Sequence, residues 1–153
     1  MSATISQAVS TGHVGLNVSD VDRSLAFYQA LFGWEVLGQS REAGREYAFL
    51  GQGGNLILTL WQQSAGAADH GRPGLHHLSF QAADLEAVRA FEARLRELAV
   101  PIRHDGIVAH AEGADSGGLF FSDPDGIRLE IFSPAGVGGH EAPASGAPTC
   151  GFF

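Results

Sequence analysis

The chain has 153 residues, the length of one ordinary domain, and its 44% hydrophobic and 17% charged residues are typical of a globular protein. The net charge of -8 argues against nucleic acid as a partner, and the apolar runs are too short to cross a membrane. A single cysteine and a start without a secretory signal predict a cytoplasmic location. All nine basic residues are arginine, which excludes Schiff-base chemistry on a lysine.

The sequence contains two similar halves. The stretch HVGLNVSDVDRSLAFY from His13 returns as HLSFQAADLEAVRAFE from His77, with four of sixteen positions identical. The stretch AFLGQGGNLILTL from Ala48 corresponds in the same way to LFFSDPDGIRLEI from Leu119. A whole structural unit is therefore predicted to be duplicated.

In chain order, each half predicts a strand, a helix and three further strands. The first half predicts a strand at 13–18, a helix from Asp20 to Gly33, and strands at 34–37, 46–50 and 56–61. The second predicts a strand at 77–82, a helix that starts at Asp84 and stops before Pro101, and strands near Ile102, at 119–122 and at 127–132.

The prediction is an α+β fold in which two tandem βαβββ modules form a cup-shaped mixed sheet with helices on the outer face. Residues 1–133 would form one domain, with module one at 11–61, a flexible linker at 62–74 and module two at 75–133. The Gly, Ala and Pro-rich tail at 134–153 is expected to be solvated, although Phe152 and Phe153 could pack onto the domain.

Strand alternation places His13, His77 and Glu130 on polar inner faces. The same alternation selects His77 over His76, which should face away. Two imidazoles and a carboxylate predict a site for one divalent metal ion, such as Fe, Mn, Zn, Ni or Co, with open positions for substrate. The alternative is a pair of hydrogen-bonded core histidines and a half-exposed glutamate.

Other residues of the inner faces are candidates for binding a small aromatic or partly oxidised molecule: Ile57, Thr59, Trp61, Ser79, Phe120, Arg128 and Phe132. Arg128 could bind an anionic group or form a surface ion pair. Candidates for a general acid or base are His104, His110 and Asp115, and the last two lie in a glycine-rich loop that could equally be solvated.

Three stretches carry a family resemblance: GHVGLNVSDVDRSLAFYQALFGWEVL, GLHHLSFQAADL and FFSDPDGIRLEIF. They resemble the signatures of the vicinal-oxygen-chelate superfamily, which includes glyoxalases, bleomycin-resistance proteins, extradiol dioxygenases and fosfomycin-resistance enzymes. The resemblance spans about residues 11–133 and implies metal ligands at the positions of His13, Thr59, His77 and Glu130. Because Thr59 is a poor ligand, a three-ligand site is expected.

The resemblance implies an activity class rather than one reaction. Three ligands resemble the dioxygenases and the fosfomycin enzymes, but Phe120 replaces the acid tyrosine of the first and no lysine serves the phosphonate as in the second. We expect a metal-dependent enzyme, of dioxygenase-like or lyase, isomerase or transferase-like type, whose small organic substrate chelates the metal through oxygens. The alternative is a metal-free sequestering protein of the bleomycin-resistance type.

A homodimer is also expected. A βαβββ module leaves one sheet face open as half a cup, so a ligand set divided between modules needs two halves together. One chain could supply both halves, since the flexible linker at 62–74 permits either arrangement. In short members of the resembled superfamily, however, module one commonly pairs with module two of a second chain. His13 of one chain would then join His77 and Glu130 of the other.

Overall fold

The structure, a computed structural model, describes residues 7–153. Residues 1–6, on which the expectation of a chain without a secretory signal partly rests, lie outside the described residues. Module one contains β1 (Val14–Asn17), α1 (Val21–Phe32), β2 (Glu35–Ser40), β3 (Tyr47–Gln52) and β4 (Asn55–Trp61). Module two contains β5 (Leu78–Gln81), α2 (Leu85–Glu97), β6 (Arg103–Ala109), β7 (Gly117–Ser122) and β8 (Arg128–Ser133). The predicted α+β fold of two βαβββ modules is confirmed.

The strands form two four-stranded mixed sheets, in the orders β1-β4-β3-β2 and β5-β8-β7-β6. In each sheet the first and last strands of the module run parallel, and the other neighbours run antiparallel. This pairing sets Gly15 beside Thr59 in module one and Ser79 beside Glu130 in module two. Thr59 and Glu130 therefore occupy equivalent positions in the two sheets.

Both helices start where the sequence predicts, because an aspartate caps each one. The side chain of Asp20 accepts a hydrogen bond from the backbone N–H of Arg23, and Asp84 accepts one from Ala87, at 3.0 and 2.9 Å. Helix α1 ends at Gly33, whose φ of 68° is the expected left-handed residue. The apolar face of each helix packs on its own sheet and closes the hydrophobic core.

Contacts between the modules involve the DPDG turn between β7 and β8. The Tyr28 hydroxyl of α1 donates to Asp123 Oδ2 at 2.8 Å, and the Arg23 guanidinium lies 2.7 Å from Asp125 Oδ1. Ser19 also donates to Asp125 through its backbone and its hydroxyl. Within the turn, the Gly126 N–H donates to the Asp123 carbonyl, and Gly126 has the predicted positive φ, 80°. The turn thus fixes module one against module two.

The linker forms no helix or strand, but the expectation of a solvated tail was wrong. Val137 and Thr149 are buried, and the Thr149 hydroxyl donates to the Ala109 carbonyl at 2.6 Å. The Thr149 N–H donates to the His110 carbonyl at 2.7 Å. The tail docks because it supplies hydrogen-bond donors to the carbonyl groups at the end of β6. Its Gly, Ala and Pro-rich composition does not indicate these hydrogen bonds. Among residues 7–153, no helix is long and apolar enough to span a membrane.

Candidate functional site

A carboxylate and an imidazole meet at the centre of the module-two sheet. Glu130 lies on β8 and is only 3% exposed, and His77 immediately precedes the neighbouring strand β5. His77 Nε2 is 3.6 Å from Glu130 Oε2. Burial lowers the pKa of His77, the Glu130 carboxylate opposes this, and the charges of His76, Arg128 and His110 add to the lowering. A neutral His77 is the form that can bind a metal ion.

His110 approaches the same carboxylate from the end of β6. Its Nε2 atom is 2.5 Å from Glu130 Oε1, and its Nδ1 atom is 2.9 Å from the Ser116 hydroxyl. This contact joins the imidazole of His110 directly to the buried carboxylate. Glu130 is therefore held between two imidazoles, and Ser116 fixes the ring of His110.

The other two acid–base candidates lie elsewhere. Asp115 is exposed, and its Oδ1 atom accepts a hydrogen bond from the Gly138 N–H at 3.1 Å, so it anchors the tail. His104 packs edge-on to Phe120, with ring centroids 6.2 Å apart, and its pKa is lowered mainly by burial and also by Arg103. Nε2 of His104 is buried without a hydrogen-bond partner among the described residues.

His76 packs against the ring of His77, although strand alternation predicts that it faces away from the site. Its ring lies 5.1 Å from the ring of His77, and the two Nδ1 atoms are 2.8 Å apart. The reason is that β5 begins only at Leu78, so the alternation of a strand does not extend back to His76. His76 is nevertheless exposed, and His77 is the imidazole that meets Glu130.

The equivalent region of module one is aromatic. His13 precedes β1 as His77 precedes β5, and it is exposed. Thr59, in the place of Glu130, is buried and accepts a hydrogen bond from Trp61 Nε1 at 3.0 Å. Trp61 packs with Tyr47 and Phe49, with ring centroids 5.3 and 5.5 Å away. Sequence reasoning missed Tyr47 and Phe49, although their alternation with buried Ala48 on β3 was available as a signal.

Ile57 lies at the junction of the modules, not beside Thr59. Leu50 pairs with Leu58 and Gly51 pairs with Leu56, so Ile57 is the extra residue of a β-bulge. It lines a cavity of about 280 Å³ together with aromatic residues of both modules, including Phe32 and Phe80. The bulge breaks the alternation on which the prediction of Ile57 as a substrate-binding residue rested.

A residue of the tail lies over the module-two site. The Phe153 ring is 5.1 Å from the ring of Phe120 and 5.6 Å from that of His77, and the Arg128 guanidinium lies over it at 5.5 Å. Phe120 is completely buried. The only signal in the sequence was the aromatic pair at the end of a small-residue tail, which does not say where that pair packs.

Two further candidates flank Glu130. Ser79 is its exposed neighbour on β5, and Phe132 lies two residues along β8 with its ring 5.3 Å from that of His110. Within residues 7–153 of one chain, no three His, Cys, Asp or Glu side chains are close enough to hold a metal ion. His13 is thus not brought to His77 and Glu130 in a single chain, and the three-ligand set stays a prediction.

Known proteins similar in sequence to the chain include enzymes of several kinds. Catechol-2,3-dioxygenase of Bacillus subtilis is 27% identical over 80% of the chain and 40% of its own length. The trivalent organoarsenical cleaving enzyme of Bacillus sp. strain MD1 is 29% identical over 78% of the chain and 70% of its own length. Glyoxylase I 4 of Arabidopsis thaliana is 30% identical over 80% of the chain and 69% of its own length. The chain thus spans less than half of the dioxygenase and about two thirds of the other two.

Solved structures show the same fold as this chain. A glyoxylase/bleomycin resistance protein/dioxygenase domain from Frankia sp. EAN1pec has a TM-score of 0.70 and 27% identity, covering 83% of this chain and 98% of its own. The fosfomycin resistance protein FosX from Listeria monocytogenes, at 19% identity, shares the fold with a TM-score of 0.62, covering 83% of this chain and 94% of its own. Residues 10–131 match the family described as the Glyoxalase/Bleomycin resistance protein/Dioxygenase superfamily. The chain belongs to this superfamily.

Proposed function

We propose that the protein is a metal-dependent enzyme in which His77 and Glu130 of one chain and His13 of a second chain hold one divalent metal ion. The observation that carries the proposal is the buried carboxylate of Glu130, whose described partners are the imidazoles of His77 and His110. A buried carboxylate needs a compensating positive charge, and a metal ion beside a neutral imidazole supplies one.

The donor set suits such an ion. Imidazole nitrogen and carboxylate oxygen bind Fe, Mn, Zn, Ni and Co, and three protein ligands leave positions open for substrate oxygens. A structure of the FosX protein, which shares the fold, holds Mn(II). A bound divalent ion would act as a Lewis acid toward the substrate. His110 would hold Glu130 in place, because its two ring nitrogens already contact Glu130 and Ser116.

The third ligand is expected from a second copy because His13 is exposed in the chain. Near it, the aromatic cluster Tyr47, Phe49 and Trp61 is also open, with Trp61 37% exposed. Module two of a second chain would cover this surface and bring its His77 and Glu130 to His13. A twofold dimer would then contain two equivalent sites.

The substrate would be a small organic molecule that reaches the metal through oxygen atoms. Aromatic side chains of both modules, Trp61 on one side and Phe132 on the other, would contact its apolar part. The reaction stays open between dioxygenase-like and lyase, isomerase or transferase-like chemistry. A cytoplasmic location, expected from the single cysteine, completes the proposal.

The test compares neighbouring histidines. Purified His77→Ala protein should lose its metal in elemental analysis, whereas the matched control His76→Ala should retain it. Inactive His13→Ala and Glu130→Ala chains, mixed after mild unfolding and refolding, should form heterodimers with one intact site and regain metal. Equal metal content in the two single-histidine variants would overturn the ligand assignment, and failure of the mixture would overturn the shared site.

The sequestering alternative gives a different result. A protein that only sequesters a planar drug needs the aromatic cluster of module one but not the metal ligands. Tight drug binding that survives both metal chelation and the His77→Ala substitution would favour this alternative. Turnover of a substrate that stops on chelation would exclude it.

Ordinary catechol cleavage is not expected. Phe120, in the place of the acid tyrosine of the resembled dioxygenases, has no proton to donate. Iron-loaded protein should therefore open the ring of a simple catechol slowly, and the yellow product can be followed by absorbance. Rapid ring opening would show that another residue supplies the proton.

A further inference from the structure

The arginines of the chain divide into two groups. Six of the nine form an ion pair with a carboxylate, and within residues 7–153 three do not: Arg89, Arg103 and Arg128. Arg89 is exposed on α2 and does not line the cavity that the other two share. Arg103 and Arg128 line one and the same cavity. In a protein of net charge -8, two unpaired arginines at one cavity need an explanation.

The cavity has a volume of about 660 Å³, which suits a small organic ligand. It lies at one end of the β6-β7-β8 surface and also includes His70 of the linker and His104. Among the described residues that line it, Asp123 has the one side-chain carboxylate, and this group already accepts hydrogen bonds from Tyr28 and from two backbone N–H groups. No carboxylate among the described residues neutralises the two guanidinium groups.

The rest of the wall is apolar. Pro101, Ile102 and Phe153 line it, and Phe153 separates it from His77. The described partner of the Arg128 guanidinium is the face of the Phe153 ring, a contact that leaves its N–H groups free to bind an anion. A ligand suited to this cavity therefore has a compact oxyanion and an apolar body.

We infer that the cavity between Arg103 and Arg128 is a binding site for small organic anions, such as an aromatic carboxylate. The cavity adjoins the proposed metal centre through Phe153, so the anion would be part of the substrate. Only this last step rests on the proposed function. Each guanidinium can donate two hydrogen bonds to a carboxylate. The apolar body of the ligand packs against Phe153 and Ile102.

The experiment measures benzoate binding by calorimetry, with the uncharged isostere benzamide as the comparison and inorganic phosphate as a competitor. Binding of benzoate should be saturable, weaken with salt and exceed that of benzamide by about tenfold, as for one charge-assisted hydrogen bond. Arg103→Gln and Arg128→Gln should each weaken benzoate binding by about tenfold. Arg89→Gln, the matched unpaired arginine outside the cavity, should leave it unchanged.

Binding is measured on chelator-treated and on metal-loaded protein, with thermal melting to establish that each variant is folded. Retention of benzoate binding after chelation supports the cavity independently of the metal. Loss of binding on chelation would mean that the anion binds the metal, which overturns the inference and leaves the proposed function standing. The inference would also be overturned if benzamide bound as tightly as benzoate, or if phosphate bound as tightly as benzoate and displaced it. It would be overturned as well if Arg89→Gln weakened benzoate binding as much as Arg103→Gln or Arg128→Gln.

Discussion

Removing one hydroxyl should weaken the contact that fixes the two modules together. Tyr28 is fully buried, and its hydroxyl donates to Asp123 Oδ2 at 2.8 Å. In Tyr28→Phe the ring keeps its contacts with Phe27 and Phe32, while Asp123 keeps only its two backbone donors. A hydrogen bond to a charged group contributes about 1.5–3 kcal/mol, so the free energy of unfolding should fall by about that amount.

Urea unfolding followed by circular dichroism measures this change. The chain has only two tyrosines, and Tyr47, which is partly exposed, supplies the matched control. Tyr47→Phe should change the free energy of unfolding by less than about 0.5 kcal/mol. Equal effects of the two substitutions would refute the assignment of Tyr28 and Asp123 as the contact between modules.

The same pair predicts a pH dependence. Burial, with the neighbouring Asp123 charge, raises the pKa of Tyr28 well above its ordinary value of 10.0. The phenol is therefore protonated in the folded state at pH values where it ionises in the unfolded chain. Its contribution to stability is present below pH 10 and is lost as the pH rises toward the folded-state pKa. Tyr28→Phe should lack this alkaline loss, and urea titrations at high pH would detect it.

Three further substitutions test the fold and the tail. Gly126→Ala places a methyl group at a φ of 80°, with no other atom near the new Cβ. Backbone strain of about 1–2 kcal/mol should therefore lower the midpoint of thermal unfolding, and an unchanged midpoint would contradict this. Thr149→Val leaves the Ala109 carbonyl without the hydroxyl donor, so the free energy of unfolding should fall by about 1–3 kcal/mol. Hydrogen exchange at 149–153 should become faster, and unchanged exchange would mean that the tail docks by other contacts. Leu95→Ala should lower stability by about 2–5 kcal/mol in urea, and a smaller loss would show that the core under α2 relaxes.

Local chemistry explains why so much of the fold could be predicted. The capping aspartates Asp20 and Asp84, the left-handed Gly33 and the DPDG turn act through neighbours in sequence, so their geometry follows from residue type alone. Because the unit is duplicated, each helix or strand of one module also predicts its counterpart in the other module. The predicted strand ends at Trp61 and Ser122 are correct, and most of the others differ by one to three residues, because hydrogen-bond pairing and not polarity decides where a strand ends.

The failures depend on strand register and on contacts that the local residue pattern does not specify. Ile57 was misassigned because a bulge opposite Gly51 shifts its side chain, and nothing in the strand pattern reveals an extra residue. The tail was misassigned because Thr149 finds its partners about forty residues away, at Ala109 and His110. His110 is one of three acid–base candidates in the sequence, and only its contact with Glu130, twenty residues away, distinguishes it from the other two.

The difference between Thr59 and Glu130 has a consequence for how the duplicated halves can change. The copy in module two carries the Glu130 carboxylate at this position, whereas the copy in module one carries the Thr59 hydroxyl beside three aromatic rings. If the halves combine in unlike pairs, substitutions on the aromatic copy can alter which molecule is accepted without disturbing the ionic copy. Such a duplicated protein could acquire new specificities by mutating one half while the chemistry stays in the other.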